Sequence, residues 1–82
     1  MDDLEARLVR CFGLIFPALD EKQIRRATNA DVPSWDSMAM VILVNVVEEE
    51  FGMQIDMEDA EHLTSFGGFL AYMRTRGTHR DR

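Results

Sequence analysis

The sequence predicts an all-α protein, a four-helix bundle of three main helices and one short helix, with a long loop between the first and second helices. Three segments repeat apolar residues at spacings of three and four, which is the period of an amphipathic helix. The chain has 82 residues, of which 46% are hydrophobic, enough for one small domain. We therefore expect a single domain over 1–82, with an ordered core at about 3–76 and a flexible tail at 77–82.

The first helix is predicted from Leu4 to Phe16, because Pro17 cannot continue it. Its apolar face comprises Leu4, Leu8, Cys11, Phe12 and Ile15. Prolines and turn-forming residues after this helix predict a long structured loop that ends at Asp36.

Within this loop, Ile24 and Val32 are the apolar residues expected to attach to the core. Asp20 and Gln23 have the spacing of a capping box, which would begin a single helical turn through Arg26.

The second main helix is predicted over Ser37 to Phe51, with Ser37 as its cap and Gly52 as its end. Its β-branched residues favour a strand, but 15 residues are long for a strand and the chain offers no second strand to pair with it. Its core-facing residues are Met40, Leu43, Val44, Val47 and Phe51.

Two further helices complete the bundle. Asp56 is expected to cap a short helix through His62, with Ala60 and Leu63 facing inward. The last main helix begins at Thr64 or Ser65. Its inward residues are Phe66, Phe69, Leu70 and Met73.

Charge divides the chain into a centre and two flanks. Residues 27–73 contain nine acidic residues and no lysine or arginine, a net charge of −9 within a chain of −6 overall. Such a centre repels nucleic acid and anionic lipid, which argues against a DNA-binding helical domain, and attracts proteins with basic patches. A surface that serves only solubility is the alternative.

Residues able to support catalysis or bind metal are few. His62 and His79 are the only imidazoles, Cys11 lies on an apolar helix face, and the acidic residues after Asp56 lack the EF-hand spacing. We expect no catalytic residue and no metal site. Because the first residues are acidic and no run of about 18 apolar residues occurs, we also expect a cytoplasmic protein without a signal peptide or membrane span. A monomer is expected as well.

Ser37 lies at the start of the most apolar helix, between Asp36 and Met38. Serine and aspartate are common helix caps, so the pair has a purely structural interpretation. Taken alone, such a pair is far more often a cap than anything else, but the amino end of a helix also favours a phosphate group, which suits a phosphate ester on this serine.

The chain resembles the acyl carrier proteins. Asp36-Ser37-Met38 is similar to the Asp-Ser-Leu attachment motif of that family. The resemblance is close from Val32 to Met73 and looser from Leu4 to Ile24. Further matches to the family's second, third and last helices are Glu48-Glu49-Glu50-Phe51-Gly52, Ile55, Asp56, Glu58, Ala60-Glu61, Leu63-Thr64 and Tyr72.

The resemblance implies that a phosphopantetheinyl transferase attaches 4′-phosphopantetheine from coenzyme A to Ser37, and that the arm carries acyl groups as thioesters. Asp36 would present the serine to the transferase, and Met38 would provide an apolar contact beside the arm. The chain itself would be a substrate and not a catalyst. An acyl-loading enzyme, a ketosynthase or other acyl-processing enzymes would dock on the helix through Val41, Ile42, Asn45, Glu48 and Glu49.

Several residues depart from the fatty-acid carriers. Ala39 and Ile42 stand at positions that are often acidic, with Asn45 nearby, and Trp35 precedes the motif. These departures favour polyketide or other specialised acyl biosynthesis over bulk fatty-acid synthesis. We expect Trp35 to pack in the core instead of covering the arm. A peptidyl or aminoacyl carrier, and an unmodified acidic interaction module in which Ser37 is only a cap, are the alternatives.

Overall fold

A computed structural model describes residues 3–79 and shows an all-α fold. The helices are α1 (Asp3–Ile15), α2 (Glu21–Arg25), α3 (Ser37–Phe51), α4 (Met57–Ala60) and α5 (Phe66–His79). The all-α bundle with three main helices and a long first loop is therefore confirmed. The loop itself contains a second short helix, α2, so the described residues form five helices where four were predicted.

The core is built around Phe12 of α1, which is fully buried. The rings of Trp35, Phe66 and Phe69 meet it edge to face, with centroids 5.5, 5.1 and 5.4 Å away. Such edge-to-face pairs stabilise beyond the area that they bury. The buried apolar residues are Leu8, Cys11, Phe12, Phe16, Ile24, Ala27, Val32, Trp35, Leu43, Val47, Ile55, Leu63, Phe66, Phe69 and Met73.

Hydrogen bonds fix the long loop at the start of α2 and again in the residues that follow this helix. The capping box is formed: Asp20 Oδ1 accepts from the Gln23 amide at 2.8 Å, and Gln23 Oε1 accepts from the Asp20 amide at 2.8 Å. Further along, the Asn29 amide donates to the Thr64 carbonyl at 2.9 Å and the Phe66 amide donates to the Ala27 carbonyl at 3.0 Å. These bonds bring the loop against the start of α5.

Helix termini differ from the predictions at several points. The cap of α3 is Asp36 and not Ser37, since the Asp36 side chain accepts a hydrogen bond from the Ala39 amide. The helix α4 ends at Ala60, before the predicted His62, and Asp56 precedes it without a side-chain capping bond. Ser65 does precede the last helix, where its Oγ accepts from the Gly68 amide at 2.9 Å.

The predicted tail at 77–82 falls at the edge of the structure. Residues 77–79 continue the backbone of α5, and residues 80–82 lie outside the described residues. Flexibility of this segment stays a prediction.

Ion pairs connect α1 to α2, α3 and α5. Arg7 Nε lies 2.8 Å from Glu50 at the end of α3, and Arg25 Nε lies 2.9 Å from Glu5. Arg74 of α5 also approaches Glu5, at 3.8 Å. Because these side chains are partly exposed, each pair contributes little to stability. Within residues 3–79, no helix is both long and apolar enough to cross a membrane.

Candidate functional site

At the amino end of α3, one residue caps the helix and the next provides an exposed hydroxyl. Asp36 has an extended backbone, and its Oδ1 accepts from the Ala39 amide at 2.9 Å. Its carbonyl accepts from the Met40 amide, also at 2.9 Å. Ser37 is the first helical residue and is exposed. Its hydroxyl is therefore not needed to cap the helix.

Several large apolar side chains near this serine are exposed to solvent. Met38 is 70% exposed, Val41 55% and Ile42 45%, all within the first turn and a half of α3. Met57, at the start of α4, is 79% exposed. Large apolar side chains that remain in water side by side commonly mark a binding surface.

The remaining predicted docking residues lie further along α3. Asn45 and Glu49 are exposed. Glu48 is half-buried, and its Oε2 accepts from the Ile55 amide at 2.8 Å. This carboxylate therefore holds the loop after α3 in place, a structural role that the sequence analysis missed. Its docking role, like that of the other residues, stays a prediction.

A groove of about 650 Å³ opens beside Ser37 and runs between α3 and α4. Asp36, Ser37 and Val41 lie along its edge. The apolar side chains that line it include Trp35, Met40, Val44, Ile55, Ala60 and Leu63. Polar side chains are also present, among them Asn45, Glu48, Glu61 and Thr64. An apolar groove with a polar rim is the usual form of a site for a small apolar ligand.

Trp35 separates this groove from the core. The side chain is 5% exposed, and its ring packs against Phe16 and Phe69 at 5.7 and 6.3 Å between centroids, in addition to Phe12. Its Nε1–H donates to Met40 Sδ at 3.4 Å. The expectation that Trp35 packs in the core is confirmed.

A hydrogen bond between α4 and α5 holds the outer wall of the groove. The Tyr72 hydroxyl donates to Asp59 Oδ2 at 2.9 Å. No residue of α4 is fully buried, so this helix depends on such contacts more than the main helices do. The sequence analysis noted Tyr72 only as an aromatic position and did not predict this partner.

In the described part of the chain, neither the cysteine nor a metal-binding cluster lies at the groove. Cys11 is buried elsewhere in the core, and burial raises the pKa of its thiol to about 11. Among the described residues, no three histidine, cysteine, aspartate or glutamate side chains cluster in a way that could hold a metal ion. The site thus combines an exposed serine hydroxyl with an adjacent apolar groove.

Comparison with known proteins finds acyl carrier proteins among the relatives of this chain. No family model matches the chain. An acyl carrier protein of Buchnera aphidicola subsp. Schizaphis graminum is 30% identical over 76 residues, which cover 93% of this chain and 96% of the relative. A protein of Schizosaccharomyces pombe provisionally named a mitochondrial acyl carrier protein is 32% identical over 72 residues, which cover 87% of this chain and 64% of the relative.

Proposed function

The chain belongs to the acyl carrier protein family, and from this premise we propose that it carries acyl intermediates on a 4′-phosphopantetheine arm attached to Ser37. The observation that carries the proposal is the exposed Ser37 hydroxyl at the first turn of α3. Because the Asp36 side chain caps the helix, this hydroxyl is not needed as a cap. In this proposal the chain is a substrate of its partner enzymes and has no catalytic activity of its own.

The residues at this end of α3 fit a phosphodiester. The Asp36 side chain accepts a hydrogen bond from the Ala39 amide, and its carbonyl accepts one from the Met40 amide. Helix geometry leaves the two preceding amides, those of Ser37 and Met38, directed outward. The positive end of the helix dipole favours a negative group at the same place. When attached, the arm supplies a thiol that holds acyl groups as thioesters, and the adjacent groove offers apolar side chains to such a group.

Activation of the serine falls to the partner enzyme. Asp36, the carboxylate next to Ser37 in the chain, is engaged with the Ala39 amide, which leaves it poorly placed as a general base. The transferase therefore takes the proton from Ser37 Oγ as this oxygen bonds to the phosphorus of coenzyme A that carries the pantetheine group. The bond from that phosphorus to the adenosine bisphosphate group breaks in the same transfer.

Partner docking is proposed on the exposed surface of α3. Met38, Val41 and Ile42 provide an apolar centre, while Asn45, Glu48 and Glu49 provide polar and acidic groups further along the helix. A matching partner, such as an acyl-loading enzyme or a ketosynthase, would present an apolar contact with basic residues at one side. The apolar centre favours polyketide or other specialised acyl biosynthesis, with the chain acting as a monomer in the cytoplasm.

The experiment is an intact-mass measurement after incubation with coenzyme A, magnesium and a broad-specificity phosphopantetheinyl transferase. We expect the wild type and Ser34→Ala, which removes another exposed serine in the same loop, to gain one phosphopantetheine. Ser37→Ala should gain none. Circular dichroism confirms that each protein is folded. A folded wild type that gains no mass, or a modified Ser37→Ala variant, would contradict the proposal.

The acyl group itself distinguishes the carrier types. Mass analysis of the thioester on protein purified from its source would show an acyl chain for an acyl carrier, and an amino acid or peptide for a peptidyl carrier. Both types would gain the same arm in the first experiment.

A further inference from the structure

We infer that Trp35 is a specificity-determining residue, which sets how far an acyl chain on the Ser37 arm can enter the groove. This inference rests on the proposed carrier function. It concerns the length of aliphatic chain that the domain protects, a property of the groove's inner wall and not of the attachment site.

Trp35 belongs both to the groove and to the core. It lines the groove together with Ser37 and Met40. The ring also packs on the aromatic cluster formed by Phe12, Phe16 and Phe69. At this position, the wall between the groove and the core is therefore a single side chain.

This wall is held in place by its contacts. The indole is 5% exposed, and its Nε1–H donates to Met40 Sδ at 3.4 Å, so its one polar atom has a partner on the groove side. Turning the indole away would break this bond and disrupt three ring contacts. In the native state, Trp35 and Met40 consequently form a closed surface toward the core.

An acyl chain that enters from Ser37 must therefore follow the groove. Val44, Ile55 and Leu63 offer it apolar contact between α3 and α4, whereas carbons beyond the reach of these residues stay in water. Each buried methylene shifts the equilibrium toward the inserted chain by about fourfold. Protection should thus rise with chain length and then level off at a length that Trp35 determines.

The test uses protein loaded with a series of saturated acyl groups, butanoyl to dodecanoyl in two-carbon steps. The rate of thioester cleavage by hydroxylamine reports the fraction of chains outside the groove. For the wild type we expect cleavage to slow by about fifteenfold for each two-carbon step that is buried, followed by a plateau. In Trp35→Leu the plateau should move to longer chains by at least one two-carbon step.

Two further variants separate this role from a general loss of packing. Phe66→Leu removes ring contacts around Phe12 at a residue that is 2% exposed and does not line the groove, so its plateau should match the wild type. Met40→Ala keeps the indole but removes its partner and shortens the wall, and should also move the plateau to longer chains. It provides the test if circular dichroism shows that Trp35→Leu is unfolded.

The outcomes distinguish this inference from the function on which it rests. A plateau at the same length in the wild type and in each folded wall variant would overturn the role of Trp35, as would cleavage rates in the wild type that do not depend on chain length. A folded wild type that takes up no phosphopantetheine, seen by intact mass before any acyl comparison, would overturn the carrier function itself.

Discussion

Substitutions at Asp36 and Ser37 should differ in their effect on stability. Asp36→Ala removes the side chain that accepts the Ala39 amide bond at 2.9 Å. Loss of such a cap lowers the free energy of unfolding by about 1 kcal/mol. Ser37→Ala removes an exposed hydroxyl that does not cap α3, so its effect should stay within about 0.5 kcal/mol.

The size of the domain converts these energies into melting temperatures. An unfolding entropy of about 2.1 cal/mol/K per residue amounts to about 0.17 kcal/mol/K for 82 residues. Asp36→Ala should therefore lower the Tm by about 6 °C, and Ser37→Ala by less than about 3 °C. Asp36→Asn keeps a good capping group without the charge, and should stay close to the wild type.

Thermal unfolding followed by circular dichroism at the helical band measures these shifts, and the fluorescence of the single tryptophan, Trp35, gives an independent signal. The matched control is Asp20→Ala, which removes the cap of the five-residue helix α2. If Ser37→Ala proved as destabilising as Asp36→Ala, the assignment of the cap to Asp36 would be wrong, and the freedom of the serine hydroxyl would be wrong with it.

Four further predictions concern the contacts around the site and the core. Tyr72→Phe removes the 2.9 Å hydrogen bond to Asp59 and should lower the free energy of unfolding by about 1 kcal/mol in urea titration. A double-mutant cycle on Arg7 and Glu50, with Arg7→Met and Glu50→Gln, should give a coupling of about 0.5 kcal/mol that shrinks in high salt, because both side chains are partly exposed. Since the pKa of Cys11 is raised from 9.0 to about 11, alkylation of the unmodified folded protein at pH 8 should be at least about 100-fold slower than in denaturant. For the same reason Cys11 should lower the free energy of unfolding as the pH rises from 9 toward 11, where the unfolded thiol ionises first, and Cys11→Ala should remove that part of the loss.

The main helices were predictable from the sequence because each repeats apolar residues over two or more turns. For α3 the predicted and observed bounds agree. Short elements lack this signal. Five residues of α2 cannot show a period, although the capping box of Asp20 and Gln23 indicated the turn.

The cap of α3 could not be chosen from the sequence because Asp36 and Ser37 are both suitable. The structure decides through the preceding turn, in which Trp35 is buried and its amide donates to the Val32 carbonyl at 2.9 Å. A helix that began one residue later would rotate its apolar stripe by about 100° relative to that turn. The local choice thus depends on tertiary packing.

Side-chain contacts between residues far apart in the chain could not be predicted from the sequence either. Periodicity identifies the face on which Arg7 lies, but not that Glu50, 43 residues away, is its partner. The bond between Glu48 and the Ile55 amide joins residues on either side of a turn, which no helical spacing predicts. Loop conformation and side-chain direction determine these contacts, and both arise only when the chain is folded.

The sparse attachment of α4 has a consequence for the dynamics of the domain. This four-residue helix buries no side chain completely, and the hydrogen bonds around it include those from Tyr72 to Asp59 and from Ile55 to Glu48. These two hydrogen bonds contribute about 2 kcal/mol together, little beside the apolar burial that holds the main helices. Native-state hydrogen exchange should therefore show α4 opening as its own cooperative unit while the Phe12 cluster stays closed. In the proposed carrier, an acyl chain would then leave the groove through this local opening, without unfolding of the core.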